Sequence, residues 1–182
     1  HFDKRDIMGN ILPWLSESCC EGIDVALEND QKINHTLLQS CLEGLVCVLI
    51  TRGGIKFVSS VAGTIKSLFA LLGLGNAVKI SSQAVVVNAL AALMNISPLS
   101  FCEEDFSALE KLLGQVERNS STDPAFASES MFLLSSLTFE RENSEFLEAL
   151  TKNLRHKSYL VAKSAARAIG ECVMRMLENG RS

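Results

Sequence analysis

Apolar residues recur at helical spacing in one segment after another along this chain. Between 36 and 51, Leu38, Cys41, Leu42, Leu45, Val48 and Leu49 fall three or four residues apart, the period of a helix with one buried face. Arg52-Gly53-Gly54 closes that helix, with a basic charge near its C-terminus and glycine beyond. A short helix is expected near 55–62. The stretch Gly63 to Ser97 then reads as a short apolar helix, a Gly-punctuated loop and a longer helix rich in small apolar residues. Pro98 stops the long helix just after Ser97. Ser100 with Glu103 predicts a capping box for a helix over 101–117, followed by a polar loop at 118–123. Asp123 caps and Pro124 starts a helix through about Ser136. Asn143 or Ser144 opens another to about His156, and Tyr159 to Leu177 forms the last, stopped by Asn179-Gly180. Residues 7–29 precede all of these, with Ile11, Trp14, Leu15, Ile23, Ala26 and Leu27 apolar; Trp14 reads as a packing residue at the end of the array.

The long helices can be laid over one another. Leu45, Leu93, Leu134 and Ile169 occupy one equivalent position, at steps of 48, 41 and 35 residues. Four residues earlier stand Cys41, Ala89, Ser130 and Ala165, small side chains that let neighbouring helices approach closely. Steps near 40–47 belong to stacked-helix repeats. The expectation is an all-α, right-handed α-solenoid of about four units, roughly 7–52, 55–97, 100–139 and 143–179, forming a single domain over 1–182. The opening His1-Phe2-Asp3-Lys4 suggests a piece of a larger protein.

The stretch from Gly63 resembles an armadillo repeat. That family's pattern is G-x-I-x-x-L-x-x-L-L, a loop, and a long third helix ending in A-L-x-N-I/L. Here Gly63, Ile65, Leu68, Leu71 and Leu72 supply the first half, and Ala89, Ala92, Leu93, Asn95 and Ile96 the second. About one repeat is covered well; elsewhere only the third-helix pattern persists, closer to the related HEAT style.

Composition narrows the possibilities. The hydrophobic share is 47% with only 6% aromatic, which favours close helix packing over a sandwich or a large ligand pocket. Net charge is −4 with Lys and Arg scattered, so the concentrated basic footprint of a nucleic-acid binder is missing. The run from Ile80 to Cys102 carries no charge, yet its clean apolar part spans only 84–96, short of the roughly 20 residues a membrane span needs. The cysteines at 19, 20, 41, 47, 102 and 172 form no C-x-x-C pair and read as reduced structural thiols in the cytoplasm or nucleus, with no metal and no cofactor. Asn34, Asn95 and Asn119 begin glycosylation-type triplets that read as chance. His1, His35 and His156 are far apart, and no nucleophile elbow, zinc motif, phosphate loop or dinucleotide fingerprint occurs. Glu103, Glu104 and Asp105 suit a helix N-terminus. No enzyme is expected.

Function is therefore sought on the surface. The armadillo resemblance implies a concave groove, lined by the third helices, that binds a partner peptide or helix. In nuclear-import adaptors of that family, tryptophan and asparagine alternate along each third helix as W-x-x-x-N. Here Asn95 matches the asparagine, but Ala91 stands at the tryptophan position. The corresponding pairs are Glu43 with Cys47, Phe132 with Ser136, and Arg167 with Glu171, so the import ladder is absent. With Asn88 and Glu129 added, these positions lie off the leucine seam and are expected to face the groove. Phe132, a large aromatic at an exposed position, is the candidate anchor, or else it packs against the neighbouring unit. Glu43, Glu129 and Glu171 suit a partner with an apolar residue flanked by basic ones. The alternative is a structural segment that stacks on further repeats or self-associates.

Overall fold

The computed structural model describes residues 10–28, 32–118, 123–142 and 144–180, apart from the side chains of 115–118. The expected start of the first unit at Ile7, the loop residues 119–122 with Asn119, and Asn143 as a helix opener lie outside the described residues. The described residues are helical without a strand, and no described helix is long and apolar enough to cross a membrane. The chain divides into two compact units, residues 1–100 and 101–182.

In the first unit, α1 spans Leu12–Glu28 and α2 spans His35–Ile50. Asn34 caps α2 by accepting a hydrogen bond from the Leu37 N–H at 3.2 Å. The short helix expected over 55–62 is only a 3₁₀ turn, Gly54–Phe57. Val58 closes that turn, and Ser60 then starts α3, Val61–Gly73, by accepting from the Gly63 N–H at 3.0 Å. A second 3₁₀ turn, Gly75–Ala77, leads to α4, Ile80–Ile96, and a third, Pro98–Ser100, follows it.

Two glycines set how closely α1 and α2 lie. A methyl group on Gly44 would sit 2.6 Å from the Cys19 sulfur, and one on Gly22 would collide with the Cys41 sulfur. Each thiol thus fills the notch that the other helix's glycine leaves, and the pairings run in opposite directions, making an antiparallel hairpin. The α3/α4 pair lies against this hairpin. Cys20 meets Thr64 at 3.8 Å, the Ser67 hydroxyl donates to Asp24 at 2.8 Å, and the Ser82 hydroxyl donates to Gln39 at 2.7 Å. All three contacts join residues 43 or 44 apart, so α1 meets α3 and α2 meets α4 at one common step. That step is shorter than the 48 read from Leu45 to Leu93. At a step of 44, Leu49 is the counterpart of Leu93, and Leu45 of Ala89; all four are buried. A seam that recurs every three or four residues offers several leucines to choose from, which is why the leucine pattern alone selected a different one.

In the second unit, α5 spans Glu103–Arg118, α6 Pro124–Arg141, α7 Ser144–Asn153 and α8 Tyr159–Glu178. The capping box at the start of α5 differs from the expected Ser100–Glu103 pair. Asp105 accepts from the Cys102 N–H at 2.9 Å, while Ser100 bonds the Ser97 hydroxyl at 2.8 Å. Asp123 caps α6 through the N–H groups of Ala125 at 2.8 Å and Phe126 at 3.2 Å. The helix runs five residues beyond Ser136 and ends where Glu142 turns left-handed. Arg141 bonds Glu103 at 2.9 Å and lies over the Phe106 ring at 4.9 Å, tying α5 to the end of α6.

Helices α6 and α8 lie side by side and parallel, because their partners advance together. Ser128 bonds Ser164 at 2.6 Å, the Ser135 hydroxyl donates to the Ala168 carbonyl at 2.8 Å, and Arg175 donates to Glu140 at 3.0 Å. Ala165 and Ala168, fully buried, permit that approach. Of the four aligned positions, Leu45, Leu93 and Leu134 are buried, whereas Ile169 is only half-buried. The seam of α8 instead runs through Val161, Ala165, Ala168 and Cys172. Each unit is thus two helical hairpins laid against one another.

Candidate interaction surface

Within the first unit, Glu43 and Cys47 on α2 and Asn95 on α4 are exposed, and Asn88 is half-buried. Gln39 joins them: its amide donates to Glu43 at 2.7 Å while its carbonyl accepts from Ser82. The leucine pattern singled out neither Gln39 nor Ser82, although Gln39 stands one turn before Glu43. Ala91 does not face outward; it is 3% exposed. Most of the α4 circumference is buried, from Val86 through Met94, and a methyl side chain there serves packing.

Within the second unit, Glu129 and Phe132 on α6 are half-buried, and Arg167 and Glu171 on α8 are exposed. Ser136 does not face outward either. It is 1% exposed, and its hydroxyl donates to the Phe132 carbonyl one turn back at 3.0 Å. Nearly every position of α6 from Phe126 to Phe139 is buried, so a polar residue there satisfies itself on its own backbone.

The parallel packing of α6 and α8 brings Phe132, Arg167 and Glu171 together. The Arg167 guanidinium lies over the Phe132 ring, 5.4 Å from its centre, and its other side reaches Glu171 at 3.8 Å. The ion pair is exposed and contributes little by itself; the ring beneath it fixes where the charge sits. Two turns on, Arg175 repeats the arrangement more tightly, 4.1 Å over Phe139 and paired to Glu140. Between the two arginines lies an open trough of about 460 Å³ lined by Arg167, Gly170, Glu171, Met174 and Arg175. Its floor is glycine and a methionine side chain 57% exposed, and its rim carries both signs of charge. Gly170, Met174 and Arg175 went unnoticed in the sequence. They follow Arg167 and Glu171 at helical steps of three and four, so continuing the ladder by one turn would have found them.

The other chemistry-bearing groups are arranged differently. Burial, and then the neighbouring thiols Cys41, Cys20 and Cys47, push Cys19 up to about 11. Burial also raises Cys20, Cys41 and Cys172, so these sulfurs stay protonated at neutral pH. Exposed Cys102 is raised as well, chiefly by its hydrogen bond to Asp105. All six cysteines are free thiols. Among the described residues, no group of three or more His, Cys, Asp and Glu side chains is placed to hold a metal ion. Compared with protein-family models, with curated proteins and with solved structures, the chain matches none.

Proposed function

We propose that this chain is a non-catalytic protein-interaction module of the armadillo/HEAT kind, which docks a peptide or helix of a partner protein on the exposed side of α8 where it lies beside α6. The observation that carries the reading is the trough between Arg167 and Arg175, with its apolar floor and charged rim. Such a surface offers an apolar residue a seat and its flanking charges a partner, the arrangement of a binding hot spot with a polar rim. Glu171 on the rim, with Glu129 and Glu140 nearby on α6, offers a partner's Lys or Arg a counter-charge, so the preferred partner is apolar at its centre and basic beside it. Six free thiols suit a reducing compartment, the cytoplasm or nucleus.

Panning a random peptide library on the purified chain, followed by measurement of the selected peptides on Phe132→Ala, tests this. The proposal expects peptides with an apolar residue flanked by Lys or Arg, bound at least about tenfold more weakly by the variant. A library that yields no binder, or binders indifferent to Phe132→Ala, rejects it. A second reading, a structural segment that stacks on further repeats or on itself, draws on Leu160, Val173 and Leu177, apolar and 45–65% exposed on the same helix. Sedimentation separates the two, since a stacking segment self-associates as concentration rises.

A further inference from the structure

The outer side of α1 carries a second surface that the α8 trough does not explain. Its buried side is settled: Leu12, Ser16, Cys19, Ile23 and Ala26 face inward. On the opposite side the helical repeat sorts the exposed residues into two strips. One is apolar, with Trp14 65%, Val25 51% and Ile11 42% exposed. The strip beside it is acidic, with Glu17, Glu21, Asp24 and Glu28 at successive turns. A helix gains nothing from carboxylates three and four residues apart, which repel one another. None of the four forms an ion pair with a described residue; Asp24 accepts one hydrogen bond, from Ser67. Large apolar side chains exposed beside a row of like charges that no described residue pairs cost stability without helping the fold, and both costs are relieved by the same complement.

We infer that this face of α1 docks an amphipathic helix of a partner protein, whose apolar ridge covers Trp14 and Val25 and whose Lys/Arg ridge lies along Glu17, Glu21 and Glu28. The face runs about 25 Å along the helix, the length of four to five turns of a partner helix. The acidic strip chooses the sign of the partner and speeds its approach, and the apolar strip supplies the contact area.

Trp14 is the only tryptophan in the chain, so its fluorescence reports on this face alone. The probe is a synthetic amphipathic helix of leucine and lysine, titrated at low and at physiological ionic strength. The expected result is a saturable blue shift of Trp14 emission that weakens with salt. Glu17→Gln/Glu21→Gln/Glu28→Gln should bind the probe about tenfold more weakly with unchanged melting, each lost surface charge contributing about a factor of two. Glu104→Gln/Glu148→Gln/Glu178→Gln, which removes the same net charge elsewhere, should bind as the parent does. No shift on titration overturns the inference. Equal loss in the two triple variants overturns it too, by reducing binding to net charge. A blue shift that grows with protein concentration without the probe assigns the face to a second copy and also overturns it.

Discussion

Gly44 occupies the middle of a helix, where glycine ordinarily costs up to about 1 kcal/mol relative to alanine. Its reason is the Cys19 sulfur, which would be 2.6 Å from an added methyl. Gly44→Ala should therefore lower stability by about 1–3 kcal/mol despite the better helix propensity, because overpacking a closed contact outweighs it. Gly114→Ala, with open space around the new methyl, should instead raise stability by about 0.5–1 kcal/mol. Urea unfolding of both variants decides the point, and adding Cys19→Ala to Gly44→Ala should recover most of the loss. The thiols themselves give a second residue-level test. An unfolded cysteine ionises near 8.5, whereas folded Cys19 does so at about 11. The raised value makes a contribution that is complete below about pH 8.5 and is lost as pH rises through about 11. Unfolding midpoints should fall across that window, more in the parent than in Cys19→Ala. Under native conditions Ellman's reagent should label exposed Cys47 first and leave buried Cys19, Cys41 and Cys172 untouched.

Helices α6 and α8 show what a polar residue means when it is buried. Ser128 and Ser164 bond each other at 2.6 Å inside the contact between them. Ser128→Ala should cost about 1–3 kcal/mol by leaving one hydroxyl unsatisfied, and Ser128→Ala/Ser164→Ala should cost less than the single change. Thermal melting of the three proteins checks this. The same serines explain where the sequence could and could not be read. Asp123-Pro124 announced the start of α6 because a cap and an N1 proline are local signals. Its true end at Arg141 was hidden, because Ser135, Ser136 and Thr138 look like the polar close of a helix. Ser136 and Thr138 in fact bond their own preceding turn, and Ser135 bonds Ala168. Ala91 and Ser136 were expected to face outward for a related reason. Helical spacing marks the side opposite the leucines, but a central helix is covered there too. The pairing of Arg167 with Phe132 depends on two elements 35 residues apart and leaves no trace in either alone. Leu93, fully buried, was legible as core, and Leu93→Ala should cost about 2–5 kcal/mol.

Across the whole molecule, eight helices among the described residues form two compact units, each made of two hairpins in contact. The partner contacts lie 43 or 44 residues apart in the first unit and 33 to 36 in the second. Contacts that advance together along both helices keep α6 and α8 parallel, and parallel helices set side chains from the two elements in one row. That is how Phe132 and Arg167 come to share a face and how the trough opens beyond them. The proposed docking of a partner on this face is tested most directly by comparing two exposed apolar positions. Met174 lies on the trough floor, and Leu99, 99% exposed, lies in the other unit. Met174→Asp and Leu99→Asp should each leave melting within about 0.5 kcal/mol of the parent, as exposed substitutions do. Met174→Asp should weaken the library-selected peptides at least about tenfold while Leu99→Asp binds them unchanged; equal affinities for both variants overturn docking on this face.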